Sequence, residues 1–427
     1  NGRALIKNEP TYDLITRPNL ISNIDSFLEE IQPVIFLSET EKLRYIKFQK
    51  EKAFVNKELV LKKDLSDEEI ARFNVRSFNF QNAFIAKRYR RISDYPDIFS
   101  HVLGYTSRTG DDFNAMPEIP RSHWKDVELT YASGLIKGKT GLEEIYDEHL
   151  SGRHGQRVYE MNARGQLVQS LSLTKPEKGS DLYTNLDIDA QKSAAKFLGN
   201  RKGAVVAIDL DAGGINVLYS SPAYSINKLS NGMSESEFQA LINDQDKPFF
   251  NRALQGRYPP ASTIKPAIGM YGLSNNIVNW DFEMKDPGFF TLPETGRIFR
   301  GWRKGGHGKV NMHKAFLVSS NTYFFSLAYQ ADINELSNHL STLGFGKKVC
   351  LDCFDEDQAF VPTPEWKYSI MNAGWVKGDT VNLGIGQGYL VATPMQLANY
   401  ASILATKGQF IEPSLVALGN QKKSLKT

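Results

Sequence analysis

The sequence predicts an α+β chain in two parts: an elongated N-terminal region of modest elements over residues 1–174, then a domain over residues 175–427 in which helices cover a central antiparallel sheet. Three observations predict it. At 427 residues the chain exceeds one ordinary domain, and with 41% hydrophobic residues it can bury more than one core. The composition shifts at Thr174–Asp181, TKPEKGSD, which reads as a hinge. Beyond the hinge, two apolar runs flank a Gly-rich turn, and the rest of the chain is largely helical in pattern.

In the first part, RALIKN and TYDLITR read as short strands, and ISNIDSFLEEIQPVIF and ETEKLRYIKFQKEKAF contain helical stretches. SDEEIARFNVRSF opens with a serine ahead of paired acids, a helix start. FSHVLGYTS is strand-like, and the Gly- and Pro-dotted segment Gly110 to Pro120 is loop. Thr140 followed by Glu143 reads as a capping box, so the triplet Lys139, Thr140, Gly141 begins a helix that ends near Gly152. QRVYEMNARGQLVQSL is a hairpin with its turn near Asn162 to Gly165.

In the second part, LYTNLDIDAQKSAAKFLG supplies a strand and a helix. The runs Ala204 to Ile208 and Ile215 to Tyr219 should be adjacent antiparallel strands buried on at least one side. Thr393, Pro394 and Gln396 fill the N-cap, N1 and N3 positions of a helix reaching about Lys407. The glycines at 384, 386 and 388 do not match the dinucleotide fingerprint; they predict tight backbone packing near a cleft and no cofactor.

Lys and Arg exceed Asp and Glu by 51 − 48, giving +3, too small a bias to imply a nucleic-acid partner. The densest basic run, AKRYRR at Ala86 to Arg91, reads as a solvated or ion-paired face. Cys350 and Cys353 form a single C-x-x-C, which admits a disulfide, free thiols, or a metal completed by Asp352, Asp355, Asp357 or His339. No apolar run is long enough to span a bilayer. The opening NGRALI reads as if an upstream segment had been cut away, so a fragment of a tethered protein is admissible.

The chemistry concentrates in YPPASTIKPAIG, Tyr258 to Gly269. A helix beginning at or just before Ser262 places Pro266 in its first turn, where a missing N–H costs least. Ser262 and Lys265 then share one face. Serine becomes a nucleophile when something takes its proton, and a desolvated lysine can do so. Downstream, FLVSSNTYFFSLAYQ puts Ser319 and Asn321 in an S-x-N turn ahead of an aromatic-rich helix, a second wall for the same pocket.

These motifs carry a resemblance. S-x-x-K with S-x-N is the pattern of the penicillin-recognising serine enzymes. NRALQGRYPPASTIKP, RGWRKGGHGKVNMHKAF, SSNTYFF and GDTVNLGIGQGYLVATPMQLA are similar to the penicillin-binding protein 2 branch of the class B penicillin-binding proteins. GKTGLEEIYDEHLSGRHG and VYEMNARGQLV resemble that family's non-catalytic pedestal, so the likeness covers nearly the whole chain.

The resemblance implies a pedestal followed by a penicillin-binding transpeptidase domain that cross-links peptidoglycan during cell elongation. Ser262 would attack the penultimate D-Ala carbonyl of a stem peptide, with Lys265 as general base. Ser319 would pass protons and Asn321 would hold the donor peptide and Lys265. The Ser262 N–H would supply half an oxyanion hole, and β-lactams would acylate Ser262. Implied partners are a lipid II-polymerising glycosyltransferase and a rod-shape scaffold protein. The implied location is the periplasmic side of the inner membrane, with an N-terminal anchor outside this chain. D,D-carboxypeptidase or β-lactamase action, and a non-catalytic scaffold or β-lactam sensor, are the alternatives. The family's third motif, K-[ST]-G, does not occur downstream of Ser262. Some relatives hold zinc through an Asp, Asp, His, Cys set; Asp286 and His307 match two positions, but Gly301 and Ser320 occupy the others, which predicts no such zinc here.

Overall fold

A computed structural model describes residues 2–51, 59–108, 136–153, 155–161, 167–417 and 423–424. The chain divides into two compact units: Asn1–Leu182 with Ser225–Phe238, and Tyr183–Tyr224 with Gln239–Thr427. No helix among the described residues is long and apolar enough to cross a membrane. The expected loop at Gly110 to Pro120 and the turn at Asn162 to Gly165 lie outside the described residues.

The first unit is built on β1 (Lys7–Thr16), which pairs antiparallel with β2 (Leu59–Lys62) on one side and β3 (Ala83–Ile92) on the other. The strand expected at TYDLITR thus extends back to Lys7, whereas residues 3–6 of the strand expected at RALIKN lie outside it. Its Leu14 meets a core of Phe27, Leu28 and Ile31 from α1 (Ile24–Ile31), Tyr45 from α2 (Glu39–Glu51) and Phe73 from α3 (Asp67–Arg76). The apolar residues of α1 recur at helical spacing, so one face is buried. Ser66 caps α3 in a full capping box with Glu69.

FSHVLGYTS differs from the strand reading: Ser100–Leu103 is a helical turn, α4, and only Thr106–Arg108, β4, is strand, paired with β5 (Ile136–Gly138). The triplet at 139–141 does begin a helix, but Thr140 makes no side-chain cap. Its intended partner Glu143 is drawn away by Arg91, 2.7 Å distant, while Gly141 takes φ +63° at a place where a Cβ would lie 2.5 Å from the Val102 carbonyl oxygen. The helix is interrupted, α5 (Gly141–Ile145) passing into α6 (Asp147–Ser151). The hairpin strands β6 (Gln156–Met161) and β7 (Leu167–Thr174) pair as expected.

In the second unit α7 (Ile188–Leu198) is capped by Asp187 and packs on β9 (Ile215–Ser221), itself antiparallel to β8 (Gly203–Ile208). Gln191 is fully buried and bonds both backbone groups of Leu218, fixing helix to strand. The chain then contributes α8 (Ile226–Asn231) to the first unit, where the Asn227 side chain bonds both backbone groups of Ser93 at 2.8 Å. After α9 (Glu235–Ile242) comes α10 (Lys265–Ser274), whose sequence KPAIGMYGLS has no charge beyond its first residue. A helix without a polar face must be enclosed, and α10 is.

Short paired strands follow: β10 (Met284–Asp286) with β13 (Gly308–Val310), and β11 (Phe289–Thr291) with β12 (Ile298–Arg300). Helices α11 (Met312–Leu317), α12 (Asn321–Gln330), α13 (Ile333–Thr342), α14 (Pro364–Met371), α15 (Lys377–Leu383) and α16 (Pro394–Ala405) complete the described helices, and β14 (Gln409–Phe410) pairs with β15 (Lys423–Ser424). Ile264, Ile268, Phe324, Leu327, Leu336, Val381 and Tyr400 share one core around α10. The capping box of Thr393 and Gln396 forms as expected.

Cys350 and Cys353 form a disulfide, with Cα atoms 5.5 Å apart. The acids that could have completed a metal site are engaged elsewhere. Asp352 accepts from Leu415 N–H at 2.6 Å and Val416 N–H at 2.9 Å, Asp355 accepts from Gln255 at 2.6 Å, and Asp357 takes both arms of Arg257 at 2.8 and 2.9 Å. His339 lies against the Ala267 carbonyl at 3.0 Å.

Candidate active site

Ser262 sits in a 3-10 turn, Ala261–Ile264, that runs directly into α10. In such a turn the first N–H groups have no acceptor within the helix, so the Ser262 N–H is placed to donate to a bound oxygen. Pro266 is the second residue of α10 and gives up no hydrogen bond. The next N–H, that of Ala267, donates to the Tyr400 hydroxyl of α16 at 2.9 Å.

The turn is backed by the glycines between α15 and α16. Ala261 N–H donates to Gly386 O at 2.9 Å, and Tyr258 exchanges two backbone bonds of 2.9 Å with Ala392. Ala261 takes the left-handed φ of +50°, a costly conformation for a residue with a Cβ. Gly386, at φ +68°, must be glycine: a Cβ would stand 2.3 Å from the Ala261 carbonyl oxygen. The expected close packing near a cleft is therefore contact with the turn that carries Ser262.

Lys265 is only 2% exposed. Burial favours the neutral amine and brings its pKa down to about 8. Its Nζ donates to Ser319 O at 2.9 Å, Ser319 Oγ at 3.0 Å and Asn321 Oδ1 at 2.7 Å, and lies 5.4 Å from the centre of the Phe324 ring. Ser319 Oγ is also 3.1 Å from Ser262 Oγ. All four residues singled out in the sequence meet in one place, with a refinement: Lys265 is linked to Ser262 through the Ser319 hydroxyl. Ser262 is exposed, open to a substrate, while its base is enclosed.

The S-x-N turn owes its shape to Ser319 and Ser320. Ser319 adopts φ +50°, which turns its carbonyl toward Lys265. Ser320 is fully buried and caps α12 by accepting from Tyr323 N–H. Its hydroxyl donates to Asp286 Oδ2 at 2.7 Å. Burial pushes the Asp286 carboxyl up, but hydrogen bonding, first of all from the Ser320 hydroxyl, outweighs it and holds the group below its ordinary range. Gly301 and Ser320 offer no strong zinc ligand beside Asp286 and His307, so this set does not fit the metal.

Two contacts escaped sequence reasoning. The Trp302 indole N–H is shared between Val318 O and Ser319 O, each at 3.2 Å. The Ser320 to Asp286 bond ties the S-x-N turn to β10. One joins residues 17 apart through a backbone carbonyl and the other joins residues 34 apart, and no spacing rule announces either.

The arrangement supports nucleophilic acyl transfer. An exposed alcohol has a hydroxyl relay to a buried amine whose pKa is brought down to about 8, beside a backbone N–H with no partner among the described residues.

Known proteins resemble the chain over nearly its whole length. Residues 203–426 match the penicillin binding protein transpeptidase domain, and residues 1–184 match the penicillin-binding protein dimerisation domain. The peptidoglycan D,D-transpeptidase MrdA of Acinetobacter baumannii is 36% identical over 416 residues, covering 97% of this chain and 60% of that protein. The Escherichia coli K12 protein of the same name is 32% identical over 418 residues, covering 97% and 65%. The chain thus spans about 60 to 65% of the length of these relatives. Among solved structures, a complex of PBP2 and MreC from Helicobacter pylori superposes with a TM-score of 0.83 at 29% identity, covering 99% of this chain and 77% of that one. Pseudomonas aeruginosa PBP2 in complex with WCK 5153 gives a TM-score of 0.68 at 32% identity, covering 80% and 71%.

Proposed function

The chain belongs to the class B penicillin-binding proteins of the PBP2 type, and on that premise we propose that it is a peptidoglycan D,D-transpeptidase acting through a Ser262 acyl-enzyme. The observation that carries the reading is the hydrogen-bonded run from Ser262 through Ser319 to an enclosed Lys265.

With Lys265 neutral, Ser262 Oγ attacks the carbonyl carbon of the penultimate D-Ala, and its proton passes to Ser319 while the Ser319 proton passes to Lys265. The new C–O bond forms as the carbonyl oxygen takes negative charge, which the Ser262 N–H stabilises. Collapse breaks the C–N bond as Ser319 hands its proton to the departing D-Ala nitrogen and takes one back from Lys265. An acceptor amine then attacks the ester and loses its proton to Lys265, and Ser262 recovers its own. Asn321 Oδ1 holds Lys265, leaving its amide N–H groups for the donor peptide. A β-lactam would enter the first step and stay, because its leaving nitrogen remains tethered.

The disulfide between Cys350 and Cys353 suits an oxidising compartment and supports a periplasmic location; attachment to the inner membrane is extended to this chain from the family. The Helicobacter pylori protein is in complex with MreC. We extend a scaffold partner of that kind, and a lipid II-polymerising glycosyltransferase, to this chain.

A fluorescent penicillin should label the full-length protein covalently, and Ser262→Ala should abolish labelling while keeping the melting temperature. Undiminished labelling of that variant would reject the nucleophile. Product analysis with and without an acceptor amine separates cross-linking from carboxypeptidase or β-lactamase action.

A further inference from the structure

Trp302 lies in the loop between β12 and β13 and is 63% exposed, yet its one polar atom is turned inward onto the carbonyls of Val318 and Ser319. The loop is pinned at both ends to the close of β10 and the turn after it: Gly301 N–H donates to Gly288 O at 2.8 Å, and His307 N–H to Asp286 O at 3.2 Å. Asp286 in turn holds Ser320, and the His307 ring packs on the indole with centroids 5.2 Å apart. The indole is therefore fixed relative to the S-x-N turn by contacts that do not involve Lys265.

The Ser319 carbonyl is one of three oxygens around Lys265 Nζ. A protonated lysine has three N–H groups and satisfies all three oxygens. A neutral one has two N–H groups and a lone pair. For the relay to run, the lone pair must face Ser319 Oγ, so the two N–H groups must go to Ser319 O and Asn321 Oδ1. Holding the Ser319 carbonyl in place selects that orientation. A carbonyl that already accepts from an indole is also a weaker acceptor for an ammonium, which favours the neutral amine.

We propose that Trp302 is a positioning residue for acyl transfer: its indole N–H fixes the Ser319 carbonyl and thereby aims the Lys265 amine at the relay hydroxyl. This rests on the acyl-enzyme reading above. The groups facing Lys265 are neutral: Ser319 before α12, and Asn321 and Phe324 within it. Charged and titratable groups on the neighbouring helices are directed elsewhere. Lys314 of α11 donates to the His307 and Lys309 carbonyls, and His313 is exposed. Glu335 of α13 accepts from Tyr271, and His339 bonds Ala267 O. The Tyr400 hydroxyl of α16 accepts from Ala267 N–H.

The test replaces Trp302 in the full-length protein by Phe, and separately by 3-benzothienylalanine, which keeps the fused ring but has sulfur in place of N–H. Acylation by a fluorescent penicillin is followed against concentration and pH. The expected result for both variants is a roughly three- to tenfold lower acylation rate at saturation, as for loss of one hydrogen bond, with apparent affinity little changed. The acid limb of the rate profile should move to higher pH, because the freed carbonyl stabilises the ammonium. If Trp302→Phe does not fold, the benzothienyl variant carries the comparison. Wild-type rate and pH profile in the benzothienyl variant would overturn the proposal, even if Trp302→Phe is slow, since only packing would then matter. Absence of acylation in the wild type would instead remove the acyl-enzyme reading, and this inference with it.

Discussion

Lys265 illustrates how enclosure changes an ordinary side chain. An amine in water stays protonated far above neutrality, whereas burial brings this one to about 8. Below that pH the ammonium cannot accept the Ser262 proton; as the pH rises through about 8 the neutral fraction grows and acylation should climb to a plateau. Stopped-flow acylation across pH 6 to 10, where about 8 marks the midpoint, would show it, and a flat profile would argue against Lys265 as base. Lys265→Arg should be as inactive as Lys265→Met, since guanidinium keeps its proton. Ser319→Ala should slow acylation by about 10²- to 10⁴-fold, the usual worth of a positioned acid–base group, with little change in melting temperature. Ser262, Lys265, Ser319 and Asn321 were legible because a helix repeat puts the first pair on one face and a single turn holds the second. The resemblance implied that Ser319 passes protons between Lys265 and the leaving nitrogen; that it also stands between Lys265 and Ser262 was not legible. The bridging place of Ser319 follows from its φ of +50°, a backbone fact no residue pattern encodes.

At the level of elements, the Ser262 turn depends on segments remote in sequence. Gly386→Ala would drive a Cβ into the Ala261 carbonyl and require a φ of +68° from alanine. A loss of about 1–3 kcal/mol in stability is expected. Acylation should fall by more than thermal or urea unfolding accounts for, because the displaced segment carries the nucleophile. Elements whose instructions are local came through from sequence: the capping boxes at Ser66 and Thr393, and the antiparallel pair β8 and β9. Local signals failed where a distant residue competed. Glu143 belongs to a sound capping pattern, yet Arg91, paired to β1 far upstream in the chain, claims it. The guanidinium offers the carboxylate two N–H groups, at 2.9 and 2.7 Å, where a capping box would offer one backbone N–H.

On the scale of the whole molecule, each unit encloses its own apolar cluster, one around Leu14, Ile31 and Phe73, the other around Ile268, Phe324 and Leu336. Composition revealed two parts and the likeness to a family named them. It gave no hint that α8 returns to the first unit, because SINKLSN is unremarkable in sequence and its bonds reach back to Arg91, Ser93 and Pro96. A protein of residues 1–182 alone should therefore melt lower than one in which a flexible linker replaces residues 183–224 and restores residues 225–238. Equal melting curves would show that the returning segment contributes nothing.

That return also constrains the order of events during synthesis. The first unit cannot be finished when its main stretch leaves the ribosome, since the amides of Asn227 and Asn231 are still to be translated and the backbone of Ser93 waits for them. By the time they emerge, β8 and β9 are already outside the exit tunnel. Closure of the earlier unit is thus timed by the later one, and a gene cut at the obvious hinge would deliver a nascent domain permanently short of its last helix.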